Sequence, residues 1–459
     1  MLQAIALEHN DEKEIIDLSQ GKALYSVRAR EFASYLGFLD TKYNKEKRGF
    51  INSTSIPANA FLEEIASWTR STYVPAVAER YLKDLSEFIQ RAVSIAKKQG
   101  FDWTPYEVMK ALFKKSMWSP AKEGELISRL VATWHRKKTI GHLFNENDLV
   151  LSDHVRSSLF KLLGQEGIQF LSPGDKVLVT SPTTSDLRRI IEKHGLEAVN
   201  ISIKPMTGEI EAKSLDLLKK TKNIKLIALI NPSESTGFAM SEHTLKYLGD
   251  LAEKHDALIL CDESLNTYFQ ESSSMVDIQP KRTLSYSGSN IGNLLITQEC
   301  NDYLTRNLMR NLLPIGLDFK KAFIDVIEEK PALKFNPIQV LNLAQLLLGE
   351  EDSETQRKTI AENNLAFTET LSLPHEGNRA YIMFDLNLIE GNSKKDISAE
   401  EKTVELAKLG VILHPANLFF SKENPESEAH QNMVRACLLN YDSVKTKTAA
   451  KVIRDYLTS

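Results

Sequence analysis

The sequence predicts an α/β protein: a mostly parallel sheet covered by helices on both faces, a smaller α+β domain after it, and a helical region near the N-terminus. Three observations predict this. From Asn147 to Thr297, helical stretches alternate with short apolar strands, the pattern of parallel strands joined by crossover helices. The segment IKLIALI (Ile224–Ile230) reads as a buried strand running into a Pro/Ser/Gly loop. From Ala60 to Lys138, by contrast, apolar residues recur at helical spacing.

The elements follow in order. Tyr73–Gln99 places Val74, Val77, Ala78, Tyr81, Leu85, Phe88, Ile89 and Ala92 on one helical face, with Pro75 in the first turn and Gly100 as stop. Thr104-Pro105-Tyr106-Glu107 is a capping box with proline at the first helical position, and Glu125–Lys138 is a further amphipathic helix. Then come a short strand, the helical run Val150–Leu163, the strand Lys176–Thr180, helix Asp186–His194, strand Ala198–Ile203, helix Ala212–Lys220 and strand Lys225–Ile230. After a helix from Ser241, strands are expected at Ala257–Cys261, Thr283–Tyr286 and Leu294–Thr297. Asn301–Leu348 is helix-rich and is expected to hold a long interdomain helix. NRAYIMFDL, Glu400–Leu409 and NMVRACLLN then read as strand, helix and strand. The implied segments are 1–146, 147–315 and 316–459.

Bulk composition excludes several functions. Over 459 residues, 42% are apolar and 26% charged, as in ordinary globular proteins, and the chain is long enough for two or three cores. A net charge of −4, with no basic block, gives no pull toward nucleic acid or lipid. Cys261, Cys300 and Cys437 are scattered and lack metal spacing, which suits a reducing compartment. No secretory signal and no transmembrane run is expected, so the predicted setting is cytoplasmic. Zinc-hydrolase, α/β-hydrolase and P-loop patterns are missing from the sequence.

Ligands of parallel sheets sit beyond the carboxyl ends of the strands. Those ends carry Thr183-Thr184, Ser233–Gly237, Asp262-Glu263 and Ser287–Asn290. The order NPSESTG (Asn231–Gly237), the strand ending Asp262-Glu263, and SYSGSNIGNL (Ser285–Leu294) resembles the large domain of class I/II aminotransferases, the fold-type I enzymes that use pyridoxal phosphate (PLP). There the loop reads N-P-x-N-P-T-G, the next strand ends D-E-x-Y and the third ends S-x-S-K. GVILHPANLFF (Gly410–Phe420) resembles the family's G-V-x-x-x-P-G-x-x-F segment, with Ala416 for Gly, and IIDLSQG (Ile15–Gly21) resembles its L-x-x-G segment. The likeness spans about Asn147–Leu457. Against the usual layout, residues 73–115 read as a helical insertion, a cap or dimer arm.

PLP chemistry implies a lysine imine, an aspartate under the pyridine nitrogen, donors for the phosphate and an arginine for the substrate carboxylate. By the resemblance, Asp262 matches the pyridine partner, Ser287 a phosphate-side serine and Arg435 the carboxylate clamp. The remainder departs. Gly288 stands at the lysine position, Asn290 at the phosphate arginine, Glu234 at the ring-hydroxyl asparagine, Leu265 at the tyrosine, Thr184 at the stacking aromatic and His154-Val155 at a Gly-Ala pair. A carboxylate facing a phenolate-like oxygen repels it. The expectation is a homodimeric pseudoenzyme or binding protein acting on a small carboxylate or amino acid, without covalent PLP. Non-covalent PLP or pyridoxamine phosphate (PMP), an unusual active aminotransferase, and PLP-independent acid–base chemistry by Glu234, Asp262 or His154 remain as alternatives. His414 is a weaker candidate.

Overall fold

The computed structural model describes residues 1–9, 14–19, 27–46, 58–113, 122–137, 144–152, 154–204, 207–266, 273–287, 292–328, 337–348, 350–374, 377, 379–420, 432–439 and 441–459. The chain forms two compact units. One gathers Met1–Leu24, Leu163–Thr283 and Ser353–Ser459, and the other Tyr25–Leu162 and Leu284–Asp352. The units interleave along the chain, whereas the sequence reading has three consecutive segments.

In the first unit, strands β1 (Lys176–Ser181), β2 (Glu197–Ser202), β3 (Ile224–Ile230) and β4 (Leu258–Asp262) lie in the order β4-β3-β1-β2, each neighbouring pair parallel. Helices Ser185–Lys193, Ala212–Lys220 and Glu242–His255 connect them, within a residue or two of the predicted spans. Leu178, Ile227, Leu229 and Ile259 pack with Leu218, Leu245 and Leu248 of these helices, while Leu226, Ala228 and Ile230 are buried on the other face. That two-sided burial is why β3 lacks polar alternation. Helix Glu242–His255 starts at Ser241, whose side chain accepts from the Thr244 N–H, and stops at Asp256, at φ 52°.

A second core in the same unit is built on strands β5 (Tyr381–Asp385), β6 (His414–Pro415) and β7 (Met433–Cys437), antiparallel in the order β6-β7-β5. Period-two alternation decides what each strand presents. Ile382, Phe384, Val434 and Ala436 enter a core with Leu18, Leu413 and Ile453. Tyr381, Met383, Arg435 and His414 take the other register positions. Ile16–Asp17 pairs in parallel with Val411–Ile412 in a separate two-stranded sheet, and the Cys437 N–H donates to the Leu18 carbonyl at 2.7 Å, which brings this segment beside β7.

The second unit is mainly helical: Val27–Glu46, Ala58–Thr72, Pro75–Lys98, Pro105–Phe113, Lys122–Lys137 and Pro337–Leu348. Thr104 caps its helix as predicted, exchanging hydrogen bonds with Glu107. Val74, placed on the apolar face by periodicity, is instead the exposed N-cap before Pro75. Asn293–Leu295 pairs antiparallel with Leu149–Leu151 and with residues 285–287. The expected long helix within 301–348 is broken into Gln298–Tyr303, Phe319–Glu328 and Pro337–Leu348, punctuated by Pro314, Gly316 and Pro337. The long helix lies later, at Glu350–Leu371. Among the described residues no helix is long and apolar enough to cross a membrane, and no His/Cys/Asp/Glu group could hold a metal.

Gly237 closes the loop after β3 at φ 76°, and a Cβ there would lie 2.1 Å from the Tyr381 carbonyl oxygen. Gly237→Ala is therefore expected to destabilise the fold by about 3 kcal/mol, read as a lower urea midpoint. An unchanged midpoint would contradict this packing.

Candidate carboxylate site

Because Val434 and Ala436 face the core, Arg435 between them is turned to the opposite side of β7. It is nonetheless only 5% exposed. Its guanidinium carbon lies 4.9 Å from the Tyr381 ring centroid and 4.5 Å from that of Phe419. Nη1 donates to the Glu234 carbonyl at 3.2 Å and Nη2 to the Ser19 carbonyl, while Nε has no hydrogen-bond partner among the described residues. Both bonds end on carbonyl dipoles and neither on a carboxylate. Ring faces and dipoles stabilise the charge, but no ion pair with a described residue neutralises it. That arrangement suits an anion.

The loop after β3 brings Glu234 to this place. Asn231, fully buried, accepts from the Met240 N–H at 2.8 Å and donates to the Ser273 carbonyl, pinning both ends of the turn. Ser233 Oγ accepts from the Ser235 and Thr236 N–H groups, so the backbone is held around half-buried Glu234. Cys437 reports the convergence of charges. Burial pushes its thiol up to about 12; Arg435 pulls it down and Glu234 pushes it further up. The thiol is therefore protonated and inert at neutral pH.

The histidine beside Arg435 is His414, its cross-strand partner on β6. Burial, then the Arg435 charge, lowers its pKa to about 4 against a small opposing effect of Asp17. Its ring meets Phe419 edge-on at 6.1 Å, and Nδ1 is buried without a hydrogen-bond partner among the described residues. It is a neutral imidazole at pH 7. His154, the preferred histidine from sequence, is exposed in the other unit, with its N–H donating to Ser152 Oγ at 3.2 Å. Ser19 was legible only through the L-x-x-G likeness, and its carbonyl contact with Arg435 follows from the pairing of Ile16–Asp17.

Asp262 is buried at the carboxyl end of β4, and its Oδ1 accepts from the Ser264 N–H at 2.9 Å and the Ser264 hydroxyl. This local turn gives the carboxylate a structural task as well. Leu265 packs with Tyr381 and Cys437 in an apolar cluster, and Thr184 is the N-cap of helix Ser185–Lys193. Ser287 is buried at the end of its strand in the second unit, opposite Asn293. Gly288 and Asn290 lie outside the described residues.

Comparison with known proteins gives this geometry a setting. Residues 155–295 match the family described as aminotransferase class I and II. An aspartate aminotransferase of Musicola paradisiaca (strain Ech703) is 26% identical over 139 residues, covering 28% of this chain and 33% of that protein. The cystathionine beta-lyase PatB of Bacillus subtilis (strain 168) is 27% identical over 96 residues, covering 20% of this chain and 25% of that protein. The matches thus span a third or less of those curated relatives. Among solved structures, Bna3p of Saccharomyces cerevisiae, a putative kynurenine aminotransferase, is similar over 99% of this chain and 95% of its own, with TM-score 0.60 and 17% identity. The fold is that of the aminotransferases, the fold-type I architecture expected from the sequence.

His414 sets an acid limit on the fold. Its pKa falls from an ordinary 6.5 to about 4 on folding, so the unfolded chain takes up this proton first. Stability is expected to fall as pH drops from 6.5 to about 4, by about 1 kcal/mol per pH unit at the steepest. His414→Asn should flatten that slope in urea titrations, and an equal slope in both proteins would contradict the burial argument.

Proposed function

We propose that this chain uses an aminotransferase scaffold to bind a small carboxylate or amino acid at Arg435 without Schiff-base chemistry. The observation that carries the reading is the buried guanidinium, held by carbonyls and aromatic rings but not neutralised by any described carboxylate. A planar fork with donors to spare pairs with carboxylate oxygens, and desolvation in the pocket strengthens that pairing. Glu234, whose main chain already touches Arg435, adds a negative charge suited to an ammonium group.

The residues present do not fit covalently held PLP. By the alignment of motifs, glycine stands at the lysine position and Glu234 at the ring-hydroxyl asparagine. At the helix start that would cradle a phosphate, the His154 N–H is already spent on Ser152 Oγ, and bulky Val155 follows. Asp262 and Ser287, each buried at its strand end, keep non-covalent PLP or PMP as a second reading. The homodimer and the cytoplasmic setting belong to the same proposal.

Added PLP should produce neither a visible imine band nor a borohydride-stable adduct by mass spectrometry; a modified side chain would overturn the reading. In a thermal-shift panel of amino acids and 2-oxo acids, a ligand at a hundred times its Kd should add about 2.7 kcal/mol of stability. Arg435→Ala should abolish that shift and Arg435→Lys should weaken it. An undiminished shift in both would remove Arg435 from the site.

A further inference from the structure

Phe419, the ring shared by Arg435 and His414, sits in a short turn, Ala416–Phe419, that has no side-chain cap. One turn of this kind has little stability of its own. Asn417 in this turn donates to the Glu400 carboxylate, and the residues around Phe419 are held by hydrogen bonds from the segment that follows β1. The Thr183 N–H donates to the Phe419 carbonyl at 2.9 Å. Arg188, on helix Ser185–Lys193, donates through Nη2 to the Leu418 carbonyl at 3.2 Å and through Nη1 to the Phe420 carbonyl. Nη2 also reaches back to the Thr183 carbonyl at 3.2 Å, joining both tethers. Three successive carbonyls around Phe419 are thus held by one arginine and one backbone N–H.

We infer that Arg188 is a positioning residue that latches Leu418–Phe420 and so holds Phe419 against Arg435 and His414. A rigid planar fork can serve carbonyls two residues apart, which the single ammonium of lysine cannot do as well. The ligand-binding half of this inference rests on the carboxylate reading of Arg435; the positional half does not. Without the latch, Phe419 would leave the guanidinium and half-buried His414 would be further exposed to water. The charged groups facing that histidine are Arg435 and Asp17, with Glu400, Glu401 and Glu405 lining the 670 Å³ cavity that His414 also borders.

The test follows the His414 ring by NMR through an acid titration, in wild type, Arg188→Ala, Arg188→Lys and Phe419→Ala. Arg189→Ala serves as control, since Arg189 is exposed and pairs with Asp186 on the same helix. The His414 midpoint should rise by about one pH unit in Arg188→Ala and Phe419→Ala, lie between in Arg188→Lys, and stay put in Arg189→Ala. Affinity for the best ligand of the amino-acid and 2-oxo-acid panel should fall about tenfold in step. A lowered melting temperature with an unmoved His414 midpoint would make Arg188 merely structural and overturn the inference. Should Arg188→Ala fail to fold, Arg188→Lys and Phe419→Ala decide the matter in the same way. A moved midpoint with unchanged affinity upholds the latch and contradicts instead the carboxylate role of Arg435.

Discussion

A guanidinium buried between two aromatic rings, with its charge met only by dipoles among the described residues, is the constraint around which the first unit is arranged. Taking a cation from water is expensive unless something compensates it. Here compensation is partial: two carbonyls, from Ser19 and Glu234, and the faces of Tyr381 and Phe419. Each comes from a different part of the chain, so the site forms only when the N-terminal strand, the loop after β3, β5 and the 416–420 turn have all docked. Burial, aided by the Arg435 charge, keeps His414 neutral, and burial keeps Cys437 protonated against the pull of Arg435, which removes both as cation and nucleophile near pH 7.

Much of the architecture was legible because it is written locally. IKLIALI had to be a strand buried on two faces, and the Val-Arg-Ala run of β7 had to send Arg435 away from the core. Pro75 and the Thr104/Glu107 pair gave true helix starts. Val74 was misplaced because a periodic pattern does not register that a residue before proline leaves the helix. Prolines and a glycine divide residues 301–348, whereas the long helix Glu350–Leu371 is hidden by its charged sequence.

The site was legible in part. Arg435, Glu234 and Asp262 could be named from motif likeness, and Arg435 does meet the main chain of Glu234. His414 stands out in the sequence only as a weaker candidate and Ser19 only within the IIDLSQG likeness, while Arg188 carries no local signature. Ser19 is 416 residues from Arg435 in sequence, and Arg188 is 230 from Leu418, so only the folded chain reveals these contacts. Fold alone does not decide chemistry. The scaffold is shared with aminotransferases, and an anion site at Arg435 that needs no imine is our proposal.

The central claim is that Arg435 is a charge awaiting a carboxylate. A crystal structure of the protein grown with the best ligand from the amino-acid and 2-oxo-acid panel tests it most directly. The account predicts two carboxylate oxygens within hydrogen-bond distance of the Arg435 guanidinium, beside Tyr381 and Phe419. Ligand density elsewhere, with an acidic side chain folded onto Arg435 in its place, would contradict it.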